Sequence, residues 1–285
     1  MRSISTLVAA VIAGLFTLSH NADADMRIIS TDAGSTDIIR ALGEADHLVG
    51  IDVTSSLPPQ YHVAKLGYHR QLSAEGMLSL TPNIVIGSEH MGPPSTVEII
   101  EKSQGITLLQ LPTAHNPKQI SDNIRAIAKL LGKSQQANVL LKQINQQSAA
   151  ISGTHIVGQS VAFILQMDGR SLRMAGKHTV GDDIIHLLGG DNIADYTNYQ
   201  SISPEALLAL QPQIIIVANR NDTQSPAQTL LSEYPVLMHT PAGKNNTIVS
   251  IDSRLLVAGM SPRALAAVAT LSQQLDQAAS AVASQ

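Results

Sequence analysis

Helix-like and strand-like patterns alternate along this chain once its first two dozen residues are passed. Residues 84–86 and 214–217 are unbroken runs of Ile and Val. They have strand length and are apolar on both faces, as strands inside a parallel sheet are. Each follows a short helical segment. Ser73 and Ser203 are of N-cap type, Pro204 suits the first helical position, and Pro82 and Pro212 end the segments. Ser95 with Glu98 predicts a capping box opening the next helix, and residues 106–111 read as the strand after it. Ile120, Ile124, Ile127 and Leu131 recur at helical spacing up to Gly132. A second helix is predicted from Ser134 through Leu140, Leu141 and Ile144 to residue 151.

This pattern occurs twice. Residues 37–43 read DIIRALG and 183–189 read DIIHLLG; residues 73–86 read SAEGMLSLTPNIVI and 203–216 read SPEALLALQPQIII. The second pair aligns without a gap at an offset of 130, and both pairs keep their order. Two related units in sequence mark an internally repeated architecture. The predicted fold class is α/β: two lobes with central parallel sheets, joined by a long interdomain helix, with a ligand cleft between them. The expected divisions are an N-terminal lobe over 25–132, a bridging helix and linker over 133–157, and a C-terminal lobe over 158–285. A helical linker holds two lobes at a more constant separation than a Gly/Ser coil does.

The first residues break the pattern. Met1-Arg2-Ser3 is a short positive start, residues 7–18 form an apolar run of 12, and Ala22-Asp23-Ala24 is an A-x-A sequence. A bilayer core needs about 20 apolar residues, so this segment reads as a signal peptide cleaved after Ala24. The expected location is a bacterial periplasm. Composition narrows the function classes further. The net charge is −4 with no basic run, which argues against nucleic acid as a partner. The chain has no Cys, so thiolate metal sites and cysteine nucleophiles are out. It also lacks G-x-S-x-G, H-E-x-x-H, P-loop and G-x-G-x-x-G motifs, and no enzyme is expected.

Candidate chemistry concentrates in residues 67–76, GYHRQLSAEG. This segment lies in an insert: Asp37 to Ser73 spans 36 positions, Asp183 to Ser203 only 20. In an extended loop Tyr68 and Arg70 project to one side and His69 to the other. A phenol beside a guanidinium can ligate ferric iron. The free phenol titrates near pH 10, a hard trivalent metal and a nearby cation both favour phenolate, and Tyr is a known haem ligand. Spacing alone leaves a second reading open, in which Tyr68 packs on its loop and Arg70 is solvated.

The string G-Y-x-R-x-L-S-A-E-G followed by L-S-L-x-P-x-I-V resembles the haemin-binding proteins of bacterial periplasmic ABC importers. Further matches are Ser88-Glu89…Gly92-Pro93-Pro94, Ala175-Gly176…Thr179, Ser203-Pro204-Glu205-Ala206-Leu207 and Ser261-Pro262-Arg263. Together they cover essentially the whole mature chain. The resemblance implies the helical-backbone class of binding proteins, shared with siderophore and cobalamin carriers, whose lobes move little on binding. It implies Tyr68 as the axial ligand of haem iron, with Arg70 supporting it or a propionate. Some members hold a second haem through a His on the C-terminal lobe. Met167 takes that position here, and a thioether is a softer partner for ferric iron than imidazole. His178 in AGKHT, and His90 and Met91 in SEHMGPP, are alternative second ligands. Tyr199 lies one position off Tyr68 under the repeat offset and is expected to face it. His47, His62, His155, His186 and His239 are expected on surfaces or in loops.

Glu75 and Glu205 occupy equivalent first turns, where the helix N-terminus favours a carboxylate. Both can be simple first-turn residues, or two negative points at a fixed spacing. The resemblance implies the second, each docking into one half of a two-fold ABC permease dimer. The expected protein is a monomeric, non-catalytic haem carrier serving an inner-membrane permease. A carrier for an iron–siderophore or corrinoid, and a docking or sensor protein without transport, are the alternatives.

Overall fold

The apolar runs become the centres of two sheets in the computed structural model, which describes residues 26–151, 156–167, 171–219, 226–257 and 259–283. The expected cleavage point after Ala24, and His155, lie outside the described residues. The first lobe runs β1 (Ile28–Ser30), α1 (Ala33–Ala41), β2 (Leu48–Ile51), β3 (Ala64–Lys65), α2 (Ala74–Leu78), β4 (Ile84–Ser88), α3 (Pro94–Lys102) and β5 (Thr107–Leu111). Two helices follow, α4 (Pro117–Leu131) and α5 (Ser134–Ile151). The second lobe runs β6 (Ser160–Met167), β7 (Ser171–Ala175), α6 (Val180–Leu188), β8 (Asp191–Asn192), β9 (Tyr199–Ile202), α7 (Pro204–Ala209), β10 (Ile214–Asn219), α8 (Pro226–Glu233), α9 (Pro241–Lys244), β11 (Ile248–Asp252) and α10 (Pro262–Ala283).

The first sheet has the order β3-β2-β1-β4-β5, and every pairing in it is parallel. The second has the order β11-β10-β6-β7-β9, with β8 also on β6. Its β10–β11, β10–β6 and β6–β8 pairings are parallel, as the alternation of strands and helices predicts. The β6–β7 and β7–β9 pairings are antiparallel. The reason is local. The last residues of β6 fold straight back on β7, and a strand that returns through a short connection can pair only antiparallel.

Local chemistry explains most boundaries. The Ser73 and Ser203 hydroxyls accept the N–H of Gly76 and Ala206, so both N-caps form as expected. Thr81 and Gln211 take the same left-handed conformation before Pro82 and Pro212, with φ of 47° and 48°. Gly43 and Gly189, at φ 85° and 84°, close the two DII helices, a conformation that other residues adopt only at a cost. The capping box at Ser95 does not form. Pro93 takes the N-cap position with no side-chain bond and Pro94 opens α3, so Ser95 already lies inside the first turn. A proline at that position loses nothing, because the first helical N–H groups lack intrahelical partners anyway.

The lobes share a core. Ile28 and Ile86 of the first sheet, Ile124, Ile127 and Ile144 of α4 and α5, and Ile184, Ile216 and Leu265 of the second lobe belong to one apolar cluster. Gly132, at φ 69°, turns α4 into α5, and α5 packs along α10. The connection is thus a packed helical spine rather than a tether, and moving one lobe would expose apolar surface at about 25 cal/mol per Å².

Candidate functional site

A cleft of about 700 Å³ opens between the lobes, within the roughly 300–1,000 Å³ usual for small-molecule sites. Its walls come largely from segments after the C-terminal ends of strands, where open α/β sheets generally bind ligands. Val53 follows β2, His90 follows β4, Thr113 and His115 follow β5, and Ser253 and Arg254 follow β11. Aliphatic lining comes from Val53 on one side and Leu165, Val180, Leu256 and Val257 on the other.

The 67–76 loop forms part of the first wall, and backbone bonds pin it on both flanks. The Val53 N–H donates to the Gly67 carbonyl at 2.9 Å, and Gly67 sits at φ 98°. The Gln71 N–H closes a turn onto Tyr68 O at 2.8 Å. The Gly92 N–H donates to His69 O at 2.9 Å, and the Leu72 N–H donates to Gly92 O at 2.8 Å. A Cβ on Gly92 would stand 3.2 Å from the Arg70 carbonyl oxygen, so only glycine admits this approach without a shift.

The segment is a turn rather than the extended loop expected, and burial, not alternation, separates its side chains. Tyr68 is 43% exposed and Arg70 is exposed, both lining the cleft, while His69 is only 2% exposed. The His69 ring lies 4.2 Å from the Tyr68 ring, centroid to centroid, at an interplanar angle of 53°. Its Nδ1 is 3.9 Å from Asp52 Oδ2, and burial holds its pKa below the ordinary imidazole value. Asp52 is fully buried and accepts the N–H and hydroxyl groups of both Thr54 and Ser55, which fixes the neighbouring wall.

The other candidates fall in different situations. His90 lines the cleft, but its Nε2 is paired with Thr113 Oγ1 at 3.0 Å. His178 lines the cleft from a left-handed position, φ 63°, with its backbone N–H on Asp182 Oδ2 at 3.1 Å. Met91 is 5% exposed and packs into the core beside Ile29 and Met77, so it is not available to a cleft ligand. Met167 pairs with Ser171 at the end of β6, and its side chain lies outside the described residues.

Tyr199 lines the cleft from the second lobe, as expected from the repeat. Its hydroxyl accepts the Gly181 N–H at 3.3 Å, and burial raises its pKa above that of an ordinary phenol. A phenol so held resists becoming the phenolate that ferric iron requires.

Sequence reasoning missed His115. Its Nδ1 lies 2.7 Å from Asp183 Oδ2 on α6, so the pair joins the two lobes. Asp37, at the equivalent position of α1, is also joined to the other lobe: Arg263 Nη1 is 3.2 Å away and Ser261 Oγ 3.3 Å away. His115 comes two residues after Thr113, just past a strand end, which is the signal that could have found it. The pairing with Asp183, 68 residues on, carries no local trace. Glu75 and Glu205 are exposed on the first turns of α2 and α7, one on each lobe.

Comparison with known proteins agrees with this architecture. The periplasmic haem-binding protein HutB of Vibrio cholerae is 35% identical and superimposes with a TM-score of 0.77, over 88% of this chain and 98% of that one. A periplasmic haem-binding protein from Pseudomonas aeruginosa is 31% identical with a TM-score of 0.75, over 88% and 93%. The vitamin B12-binding protein of Vibrio cholerae serotype O1 is 25% identical over 195 residues, 67% of this chain and 70% of that protein. Residues 28–255 match the family described as periplasmic binding protein. Two repeated α/β lobes, a helical spine, an interlobar cleft and this match lead to one conclusion: the chain belongs to the periplasmic binding protein family, the substrate-binding components of ABC transporters.

Proposed function

We propose that this protein binds haem in the interlobar cleft outside the cytoplasm and hands it to an inner-membrane ABC permease, without catalysis. The observation that carries the reading is Tyr68, half-exposed on a doubly pinned turn beside Arg70 at the wall of the cleft. Ferric haem is a flat apolar ring with a hard cation at its centre and carboxylates at one edge. The cleft has aliphatic walls for the ring, a phenol for the iron, and Arg70 in its lining for charge-assisted bonds to a carboxylate, with Arg254, itself held by Asp252, beside it. The haem-binding relatives, at 35% and 31% identity, support the same ligand.

Titration with haemin, followed by absorbance, should give a saturable Soret band and a tyrosinate-to-iron charge-transfer feature. Tyr68→Ala should remove that feature and weaken binding by more than the 10–100-fold typical of losing an outer-shell partner. Arg70→Ala should cost about 1.5–3 kcal/mol, the value of a hydrogen bond to a charged group. An unchanged spectrum in Tyr68→Ala would assign the iron to another residue. A second reading, a corrinoid carrier, is favoured by the vitamin B12-binding relative. Cyanocobalamin titrated in parallel separates the two: binding of the corrinoid with none of haemin overturns the haem assignment.

Delivery is proposed to run through Glu75 and Glu205, exposed one on each lobe and related by the repeat. Export is proposed to remove the first 24 residues, checked by N-terminal sequencing of the secreted protein.

A further inference from the structure

We infer that His115 is a second protein ligand to the iron in the cleft, oriented from the opposite lobe by Asp183. The inference rests on the haem reading above. Among the described residues four histidines line the cleft, His69, His90, His115 and His178. A ring that ligates a metal needs one nitrogen with a free lone pair, and its other nitrogen is characteristically held by a carboxylate or carbonyl. His69 lies buried beneath Tyr68. His90 Nε2 is already paired with Thr113. His178 has no ring partner among the described residues to orient it.

His115 meets both conditions. Its side chain is 46% exposed, and its Nδ1 lies 2.7 Å from Asp183 Oδ2, whose own side chain is 17% exposed. A carboxylate accepts hydrogen bonds and donates none, so in the neutral ring, the form that ligates a metal, Nδ1 carries the proton and the lone pair lies on Nε2. That Nε2 has no protein partner among the described residues. The repeat sharpens the point. Asp37 holds the same place on α1 and also reaches the other lobe, but its partner is Arg263. A guanidinium has no lone pair to offer a metal. Both aspartates tie the lobes together, and only the tie at the cleft uses a side chain able to bind iron.

Iron held by Tyr68 alone is five-coordinate, and His115 Nε2 would fill the sixth position. Because Asp183 stands on the other lobe, the strength of that bond depends on how the lobes sit. Asp183 is therefore a positioning residue.

The test compares haemin complexes of the wild type, His115→Gln and Asp183→Asn by absorbance titration and electron paramagnetic resonance, and their dithionite-reduced forms by resonance Raman. A glutamine amide can still donate to Asp183, so the tie between the lobes survives while the imidazole is lost. His115→Gln should still take up haemin through Tyr68, with affinity lowered roughly tenfold or more. Its spectrum should move from a six-coordinate to a five-coordinate form, and added imidazole should restore the wild-type form. Asp183→Asn should keep the fold and lower the iron–imidazole stretching frequency of the ferrous complex, which a purely structural tie would leave unchanged. A His115→Gln spectrum identical to the wild type overturns this inference and leaves the haem reading intact. Failure of the wild type to bind haemin overturns both.

Discussion

The two lobes repeat the same strand–helix scheme, yet each cleft wall also carries a part that the other lobe lacks. In the first lobe β1 leads directly to α1, and a long insert after β2 carries Tyr68 and Arg70. In the second, β6 runs on for eight residues, folds back as β7, and only then reaches α6. The cleft residue Tyr199 belongs to that antiparallel addition, and Leu165 stands on β6 where β7 joins it. What the lobes share is elsewhere: the Ser-capped helices α2 and α7, the left-handed residues Thr81 and Gln211, and Glu75 and Glu205. The comparison separates the repeated helices α2 and α7 from a cleft whose two walls differ.

The strongest challenge to that division is removal of the symmetric pair. Glu75→Ala with Glu205→Ala should leave haemin affinity unchanged and abolish stimulation of the permease ATPase in proteoliposomes. Either single change should already impair it, because two linked contacts act through effective concentration. Wild-type delivery by the double variant would reduce both residues to first-turn helix residues.

The shared core makes a second claim. Ile124 is fully buried on α4, in contact with the cluster that spans both lobes. Ile124→Ala should cost about 2–5 kcal/mol and shift a single urea transition seen by probes in either lobe. Two separate transitions would mean that the lobes unfold independently.

A third test uses the caps of the equivalent helices. Asp32 caps α1 through the Ser35 N–H at 2.8 Å, whereas Thr179 caps α6 through the Asp182 N–H at 3.2 Å. Burial raises the Asp32 pKa from 3.8 to about 6. The folded state therefore holds this proton in a window where the unfolded chain has lost it. Stability from this group is full below pH 4 and declines as pH rises to about 6, by an amount on the order of 2–3 kcal/mol. Asp32→Asn keeps an acceptor for Ser35 and should flatten that decline in melts taken between pH 4 and 7. An identical slope in the variant would assign the pH dependence elsewhere.

The smallest effect separates the two tyrosines. Tyr199→Phe should cost about 1 kcal/mol of stability, for the lost bond from Gly181, and leave the haemin spectrum unchanged. A changed spectrum would make the second lobe's tyrosine an iron ligand and erase the asymmetry between the walls.

What the chain alone determined is whatever depends on neighbours within a few positions. The caps at Ser73 and Ser203 and the end of α4 at Gly132 follow from local hydrogen bonding. The duplication was legible because it is written in the residues themselves. Ser95 misled because Pro93 and Pro94 set the helix start two residues earlier. Tertiary structure alone decided the rest. Met91 sits in a loop string beside His90, yet one side chain faces the core and the other the cleft. Tyr199 lies one position off Tyr68 under the repeat offset and lines the same cleft, yet a backbone N–H from α6 occupies its hydroxyl. The bridges from His115 to Asp183 and from Arg263 to Asp37 join residues 68 and 226 positions apart. Burial, and partners brought from distant parts of the chain, set the chemistry of these groups, and neither has a local signature.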